Sequence, residues 1–198
     1  MSNWDSNGNW DWFIAKYGNK IKTERVIDYN EIFTYCQLEE IPFAINCYNN
    51  GVSSNTSSDF INYSKLKKPP IVLNDIPRNM SSMFTEGNYL EEIPDNYFDT
   101  WDFSYMKTTG SARNMFYDCY RLRKIPVDWL NNMGKYSSYS SSYFYNGFYR
   151  CFCLDKLENL PIPYIDTWTD NAFKGSFINC MRLNKLTFAQ TDAKQWKK

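Results

Sequence analysis

The chain has 198 residues, of which 43% are hydrophobic, and this is enough to bury the core of one domain. Its 22 basic and 22 acidic residues cancel, so it lacks the basic field that drives phosphate binding, and this argues against nucleic acid as a partner. Histidine is absent, which excludes Ser-His-Asp and Cys-His triads within the chain and removes the commonest metal ligand.

Residues 1–28 precede the repeats described below and contain three tryptophans, Trp4, Trp10 and Trp12. We predict an N-terminal cap here, because a repeat array must cover its first core layer. The alternative is an anchor into a larger assembly, since Trp is common at binding hot spots. The segment lacks the basic and apolar regions of a secretory signal, and no apolar run is long enough to span a membrane. We therefore expect synthesis in the cytoplasm and no membrane insertion.

A motif of the form Phe-x-x-Cys-x-x-Leu-x-x-Ile recurs through the rest of the chain. The clearest copy is FYDCYRLRKIP at residues 116–126. The first copy is one residue shorter, and the second has Tyr63 in the place of Cys. A recurring motif with connectors of variable length is typical of a solenoid. The copies begin at Phe33, Phe60, Phe84, Phe116, Phe148 and Phe177.

The spacing within a copy predicts its local structure. Phe and Cys lie three residues apart, so a helical or turn segment places them on one side, whereas Leu-x-x-Ile is typical of a short strand. The predicted fold class is therefore an α/β repeat over residues 29–198: a short leucine-rich-repeat solenoid of about six irregular repeats. Its parallel β-sheet forms the concave face, and short helices or turns form the convex face.

The cysteine position of the motif is interpreted as a column of buried packing residues. Gly87 and Tyr63 replace Cys in two copies, and a disulfide or a metal site would not survive such replacements. Cys151 and Cys153 form a C-x-C pair, but no second pair follows at a spacing typical of zinc sites. We therefore predict no metal site and no cofactor.

The pattern Met-Phe-x-x-Cys-x-x-Leu-x-x-Ile-Pro, complete at residues 115–126, resembles the BspA-like leucine-rich repeat. Such repeats occur in bacterial surface proteins, mollicute proteins and phage-encoded proteins. The resemblance covers about residues 29–190, with departures at Tyr63, Gly87 and Asn159 and in the long aromatic connectors. It implies a ligand-binding or adhesive solenoid, without naming a ligand, and it transfers no catalytic residues.

Two regions supply candidate interaction residues. The connector at residues 136–143 alternates Ser and Tyr, and its Tyr139 and Tyr143 suit recognition of a protein or glycan. An exposed linker without a partner explains that composition equally well. The column before the Ile position changes from mainly acidic to basic along the chain, which indicates either a solvated face or a polarised docking surface. This column consists of Glu40, Lys68, Glu92, Lys124, Lys156 and Lys185.

The C-terminal end of the array has no recognisable amphipathic cap. Either Trp196 folds back over the last copy, or another subunit covers it. The sequence contains no glycine-rich phosphate loop and no nucleophile elbow, so we do not expect an enzyme. We expect a virion-associated structural or interaction protein, part of a phage virion or appendage, whose partners are proteins or other subunits. The alternative is a free-standing adhesive or recognition module for a protein or glycan on a cell surface.

Overall fold

The computed structural model describes residues 24–26, 31–47, 60–77, 79–104, 112–126, 144–160 and 173–188. At residues 24–26, 159 and 188 it describes only the backbone. Two small parallel sheets lie within these residues. The first has the order β1-β2-β3, and the second pairs β4 with β5. The strands are β1 (Glu24–Val26), β2 (Ile45–Cys47), β3 (Val72–Leu73), β4 (Lys156–Leu160) and β5 (Lys185–Phe188).

Six turn segments carry the Phe and Cys positions of the motif. In the fourth, the N–H groups of Met115, Tyr117 and Cys119 donate to carbonyls three residues earlier, at 3.1, 3.0 and 3.2 Å. Asn114 and Asp118 have φ of 55° and 61°, and a type II turn requires positive φ at its third residue. The described part of the chain therefore has turns, with no α-helix, at these positions. The turn segments are residues 31–36, 60–64, 79–87, 112–119, 144–151 and 173–180.

Hydrogen bonds between successive turn segments run in one direction. Phe84 N–H donates to the carbonyl oxygen of Met115 over 2.9 Å, and Phe116 N–H donates to that of Gly147 over 2.8 Å. Phe148 N–H donates to the carbonyl oxygen of Ser176 over 3.1 Å. The residues two before and two after each of these phenylalanines donate forward in the same way. Each segment thus donates to the next copy and accepts from the previous one.

The second turn segment corrects the predicted register of its copy. Phe33 N–H donates to the carbonyl oxygen of Phe60 over 3.2 Å, so Phe60 holds the position that Met115 holds in the fourth segment. The central residue is therefore Ile61, and the prediction that Phe60 begins this copy was wrong. Ser64 then occupies the Cys column, where Tyr63 had been predicted. Phe60 and Ile61 are both apolar and both buried, so hydropathy alone could not separate them.

The central side chains of the later segments form the core by stacking ring on ring. Phe84 and Phe116 have ring centroids 5.4 Å apart, with 17° between the ring planes. Phe116 and Phe148 follow at 5.5 Å and 10°, and Phe148 and Phe177 at 5.9 Å and 8°. Burial of each such side chain is worth about 1.5–3 kcal/mol relative to exposure. Because each ring lies on the ring of the next copy, the copies stabilise one another.

An aromatic cluster covers β3 on the side away from β2. Tyr97, Phe98, Trp101 and Phe103 are all buried. The Trp101 Nε1–H group donates to the carbonyl oxygen of Val72 over 2.9 Å, and the Tyr97 hydroxyl donates to that of Pro70, also over 2.9 Å. These two hydrogen bonds use backbone carbonyl oxygens in β3 and just before it. Among the described residues, β3 is the last strand of the first sheet.

We predicted a strand in every copy, but among the described residues only some copies have strand pairing at this position. Lys67 N–H donates to Glu39 over 2.9 Å, and Arg123 N–H donates to Glu91 over 2.8 Å, in both cases to the backbone carbonyl. One isolated parallel bridge joins residues 92 and 124, and β4 with β5 is the longest pairing of this column in the described chain. In the first sheet, β2 and β3 follow the first and second copies of the motif, whereas β1 precedes the first copy, within the predicted cap segment 1–28; this sheet was not predicted. The leucine-rich-repeat class itself stays a prediction.

Candidate functional site

The first candidate surface, the charged face, consists of ion pairs, most of them between successive copies. Lys67 lies 2.5 Å from Glu39, and Lys68 lies 2.6 Å from Glu92. Lys124 lies 2.6 Å from Asp95. Glu158 is shared by Lys156, at 3.8 Å, and by Lys185.

Electrostatic effects on this face are local. The hydrogen bond from Lys67 to Glu39 raises the pKa of Lys67, and the hydrogen bond to Glu92 raises that of Lys68. The hydrogen bond from Lys185 lowers the pKa of Glu158. All these groups contact solvent, which screens their charges. The predicted site residues Lys124, Lys156 and Lys185 are thus exposed, and each already has a carboxylate partner; a polarised docking surface stays a prediction.

The second surface, the aromatic–arginine face, runs along the fourth and fifth turn segments. Tyr117 stacks on Tyr149 with centroids 4.8 Å apart and 7° between planes, and Tyr120 stacks on Phe152 at 5.1 Å and 10°. The Arg150 guanidinium carbon lies 5.1 Å from the Tyr120 ring centroid. Stacking in pairs occupies one face of each ring, and the surface also presents ring edges, hydroxyls and a guanidinium.

The Asp118 carboxylate forms hydrogen bonds with two of these groups. Its Oδ2 accepts hydrogen bonds from Arg150 Nη1 and from the Tyr120 hydroxyl, both over 3.0 Å. Asp118 is 7% exposed, and its Oδ1 has no hydrogen-bond partner among the described residues. Desolvation raises the pKa of Tyr120, and the hydrogen bond to Asp118 adds to that shift. The pair of Asp118 and Arg150 therefore links the fourth copy to the fifth.

The cysteine column is a row of buried thiols. The Sγ atoms of Cys119, Cys151 and Cys180 donate to the carbonyl oxygens of Phe84, Phe116 and Phe148, over 2.9, 3.1 and 3.0 Å. Burial raises the pKa of Cys180 to about 11 and shifts the pKa of Cys119 and Cys151 upward too. None of the six cysteines, all of which lie in the described part of the chain, forms a disulfide. The predicted packing role agrees with this geometry, and sequence reasoning missed the hydrogen bonds.

The last turn segment is less covered than the others. Phe116 and Phe148 are fully buried, whereas Phe177 is only partly buried. Ile178 and Met181 are 50% and 76% exposed. Sequence reasoning singled out neither residue. The motif alignment could have identified them. It places Ile178 at the position of Tyr149 and Met181 at the position of Phe152, and both of these residues lie on the aromatic–arginine face of the preceding copy.

Five predicted interaction residues, Trp4, Trp10, Trp12, Tyr139 and Tyr143, lie outside the described residues, as does Trp196. The chain matches no known protein family, and no curated protein or solved structure shows significant similarity to it. Among the described residues, no group of three or more Cys, Asp or Glu side chains is placed to hold a metal ion. The same part of the chain contains no helix long and apolar enough to cross a membrane.

Proposed function

We propose that this protein is a non-enzymatic structural or interaction protein, and that it works as a component of a phage virion or appendage built on leucine-rich repeats. The observation that carries the proposal is the exposure of Ile178 and Met181 beside the partly buried Phe177. Grouped apolar side chains on a soluble surface mark sites that another molecule covers. Contacts between successive copies support the repeat architecture, because each copy covers the central ring of its neighbour.

The chemistry of the described groups favours binding over catalysis. A nucleophilic cysteine needs a lowered pKa, and burial here raises the pKa of Cys180 to about 11 and that of Cys47 to about 12. The carboxylate of Glu158 lies in exposed ion pairs, where lysines hold its pKa low. A general acid near neutral pH needs the opposite shift.

The assembly state of the full chain tests the proposal. Native mass spectrometry and light scattering should find it in a stable multimer, and affinity capture of the tagged protein from its native source should recover virion proteins. Imaging of intact particles with a labelled chain should then place it on the virion. A monodisperse monomer at all concentrations, with no captured partner, would contradict the proposal.

A second candidate function is a free-standing recognition module for a protein or glycan on a cell surface. The aromatic–arginine face favours it, because Tyr and Arg are enriched in protein-binding sites. The test is binding to intact cells and to glycan arrays: Arg150→Ala should weaken binding to cells, and Lys124→Ala on the charged face is the control. Equal binding by both variants would exclude the face.

A further inference from the structure

The sixth turn segment, residues 173–180, has a side on which the forward hydrogen-bond pattern stops. In the fifth segment, the N–H groups of Asn146, Phe148 and Arg150 donate to the next copy over 3.0, 3.1 and 2.9 Å. The corresponding donors of the sixth segment are Gly175, Phe177 and Asn179. Their N–H groups have no acceptor within the described residues.

An acceptor is open on the same side. The carbonyl oxygens of Phe84, Phe116 and Phe148 each accept a backbone N–H group from their own turn and a thiol from the next copy. The Phe177 carbonyl oxygen accepts only the N–H group of Cys180, over 3.3 Å, among the described residues. The sixth segment therefore presents three donors and one acceptor in the arrangement that the interior segments use for pairing.

The side chains around these groups determine what kind of molecule the surface can bind. Ile178 and Met181 supply exposed apolar area, and the Phe177 ring is partly covered. Lys174 and Arg182 are exposed. Lysine and arginine next to open N–H groups favour an occupant that brings carbonyl oxygens and carboxylates.

We propose that this side of the sixth segment binds a turn segment of another protein, with a Phe-x-x-Cys or Phe-x-x-Ser motif flanked by acidic residues. The occupant would add a further copy: its phenylalanine lies on Phe177, its carbonyls accept from the open N–H groups, and its thiol or hydroxyl donates to the Phe177 carbonyl. The inference rests on the proposed function as an interaction protein and names the surface and the chemistry of the partner.

A second copy of this chain fits the surface poorly. Phe33 and Cys36 of the first turn segment are 4% and 8% exposed, so they are already covered and cannot pack on Phe177 of another molecule. Two sixth segments facing each other would oppose N–H groups to N–H groups and basic residues to basic residues. Of these two occupants, a second copy and a different protein, the geometry therefore favours a different protein.

A peptide of residues 31–42, EIFTYCQLEEIP, is a suitable probe because it carries Phe33, Cys36 and three glutamates. Placed by analogy with the interior copies, its Ile32 and Thr34 carbonyls accept from Phe177 and Asn179, and its Cys36 thiol donates to the Phe177 carbonyl. One control peptide carries Phe33→Ala. A second, residues 114–126, keeps the motif but has three basic residues and one acidic residue.

The experiment titrates the full-length protein with each peptide by calorimetry and follows amide hydrogen exchange. The acidic peptide should bind and slow exchange at Phe177 and Asn179. Each control peptide, and the protein variants Met181→Arg and Lys174→Glu, should weaken binding about tenfold or more, which corresponds to the loss of one good contact. Ile71→Arg changes an exposed apolar residue elsewhere and should leave binding unchanged.

No binding at millimolar peptide, or protection at other amides only, would overturn the inference. So would a concentration-dependent dimer that Met181→Arg dissolves, since it would assign the surface to a second copy. Incorporation of Met181→Arg into its native assembly at the normal level would overturn this inference while the proposed function stands. Conversely, peptide binding by a chain that enters no assembly would contradict the proposed function alone.

Discussion

The thiol of Cys151 donates a hydrogen bond to the carbonyl oxygen of Phe116, one copy earlier in the chain, over 3.1 Å. The same contact recurs at Cys119 and Cys180, and the Ser176 hydroxyl donates in the same way to the carbonyl oxygen of Phe144. In these three copies the column holds a small side chain that donates a hydrogen bond, and cysteine combines this with apolar bulk. The column does not require the hydrogen bond, because the third copy has Gly87 there and the buried Ser64 hydroxyl of the second copy has no hydrogen-bond partner among the described residues.

Cys151→Ala should destabilise the protein by about 1–3 kcal/mol, because it removes a buried hydrogen bond and leaves a small cavity. Cys151→Ser should cost less, because the hydroxyl keeps the donor. Urea unfolding monitored by circular dichroism measures both. Cys153→Ala is the matched control, since Cys153 lies outside the column and is partly exposed. Equal losses for Ala and Ser would show that packing alone matters at this position.

Asp118→Asn should destabilise the protein by about 1–2 kcal/mol, because Arg150 loses its charged acceptor in a partly buried site. Asparagine keeps the shape and tolerates the positive φ of Asp118. A double-mutant cycle with Arg150→Gln should give a favourable coupling energy. Lys124→Gln breaks an exposed pair and should change stability by less than about 0.5 kcal/mol. A coupling energy of zero between Asp118 and Arg150 would show that they act independently.

Stability should fall at alkaline pH because of the buried thiols. The unfolded chain releases thiol protons near pH 9.0, whereas in the folded protein burial raises the pKa of Cys47 to about 12 and of Cys180 to about 11. The folded state thus binds these protons more tightly. The contribution of these two thiols to the free energy of unfolding is fully present below pH 9 and is lost as the pH rises towards 11 to 12.

Urea unfolding at pH 7.5, 9 and 10 measures this dependence. Replacement of Cys47 and Cys180 by Ala should lower the alkaline slope of the free energy of unfolding, and Cys153→Ala is the control. An identical slope in the Cys47 and Cys180 variants would assign the alkaline loss to other groups.

Gly175→Ala should destabilise the sixth turn segment by about 1–2 kcal/mol. Gly175 has a φ of +73°, a conformation that costs alanine about that amount, and a Cβ atom would come within 2.1 Å of Asn146 Oδ1. The free energy of unfolding measures the effect, with the exposed Lys174→Ala as the neighbouring control. Full stability in Gly175→Ala would mean that the turn adopts another conformation.

The sequence predicted the features that depend on strong, regular spacing. The spacing of Phe116 and Cys119 predicted that both lie on one side of a turn with Cys119 buried, and both are buried. The stacking of Phe116 on Phe148 was not predicted. Spacing could not decide between Phe60 and Ile61, because both are apolar and the choice depends on backbone pairing. Hydropathy also gave no sign of positive φ at a residue such as Arg150.

For the candidate surfaces, the sequence predicted which residues share a face, but it did not predict their partners. The lysines at 124, 156 and 185 were expected on one face and are exposed there, but their carboxylate partners come from connectors or from a neighbouring position. The role of Trp101 at β3 could not be predicted, because it depends on a contact with Val72, 29 residues away.

The one-way hydrogen bonds between turn segments give the molecule an electrical axis. Each N–H group that points to the next copy belongs to a peptide dipole of about 3.5 D, and dipoles aligned head to tail add together, as they do along a helix. The positive pole lies at the sixth segment, beside Lys174 and Arg182. An approaching negative segment would therefore be turned towards that end before any atoms touch.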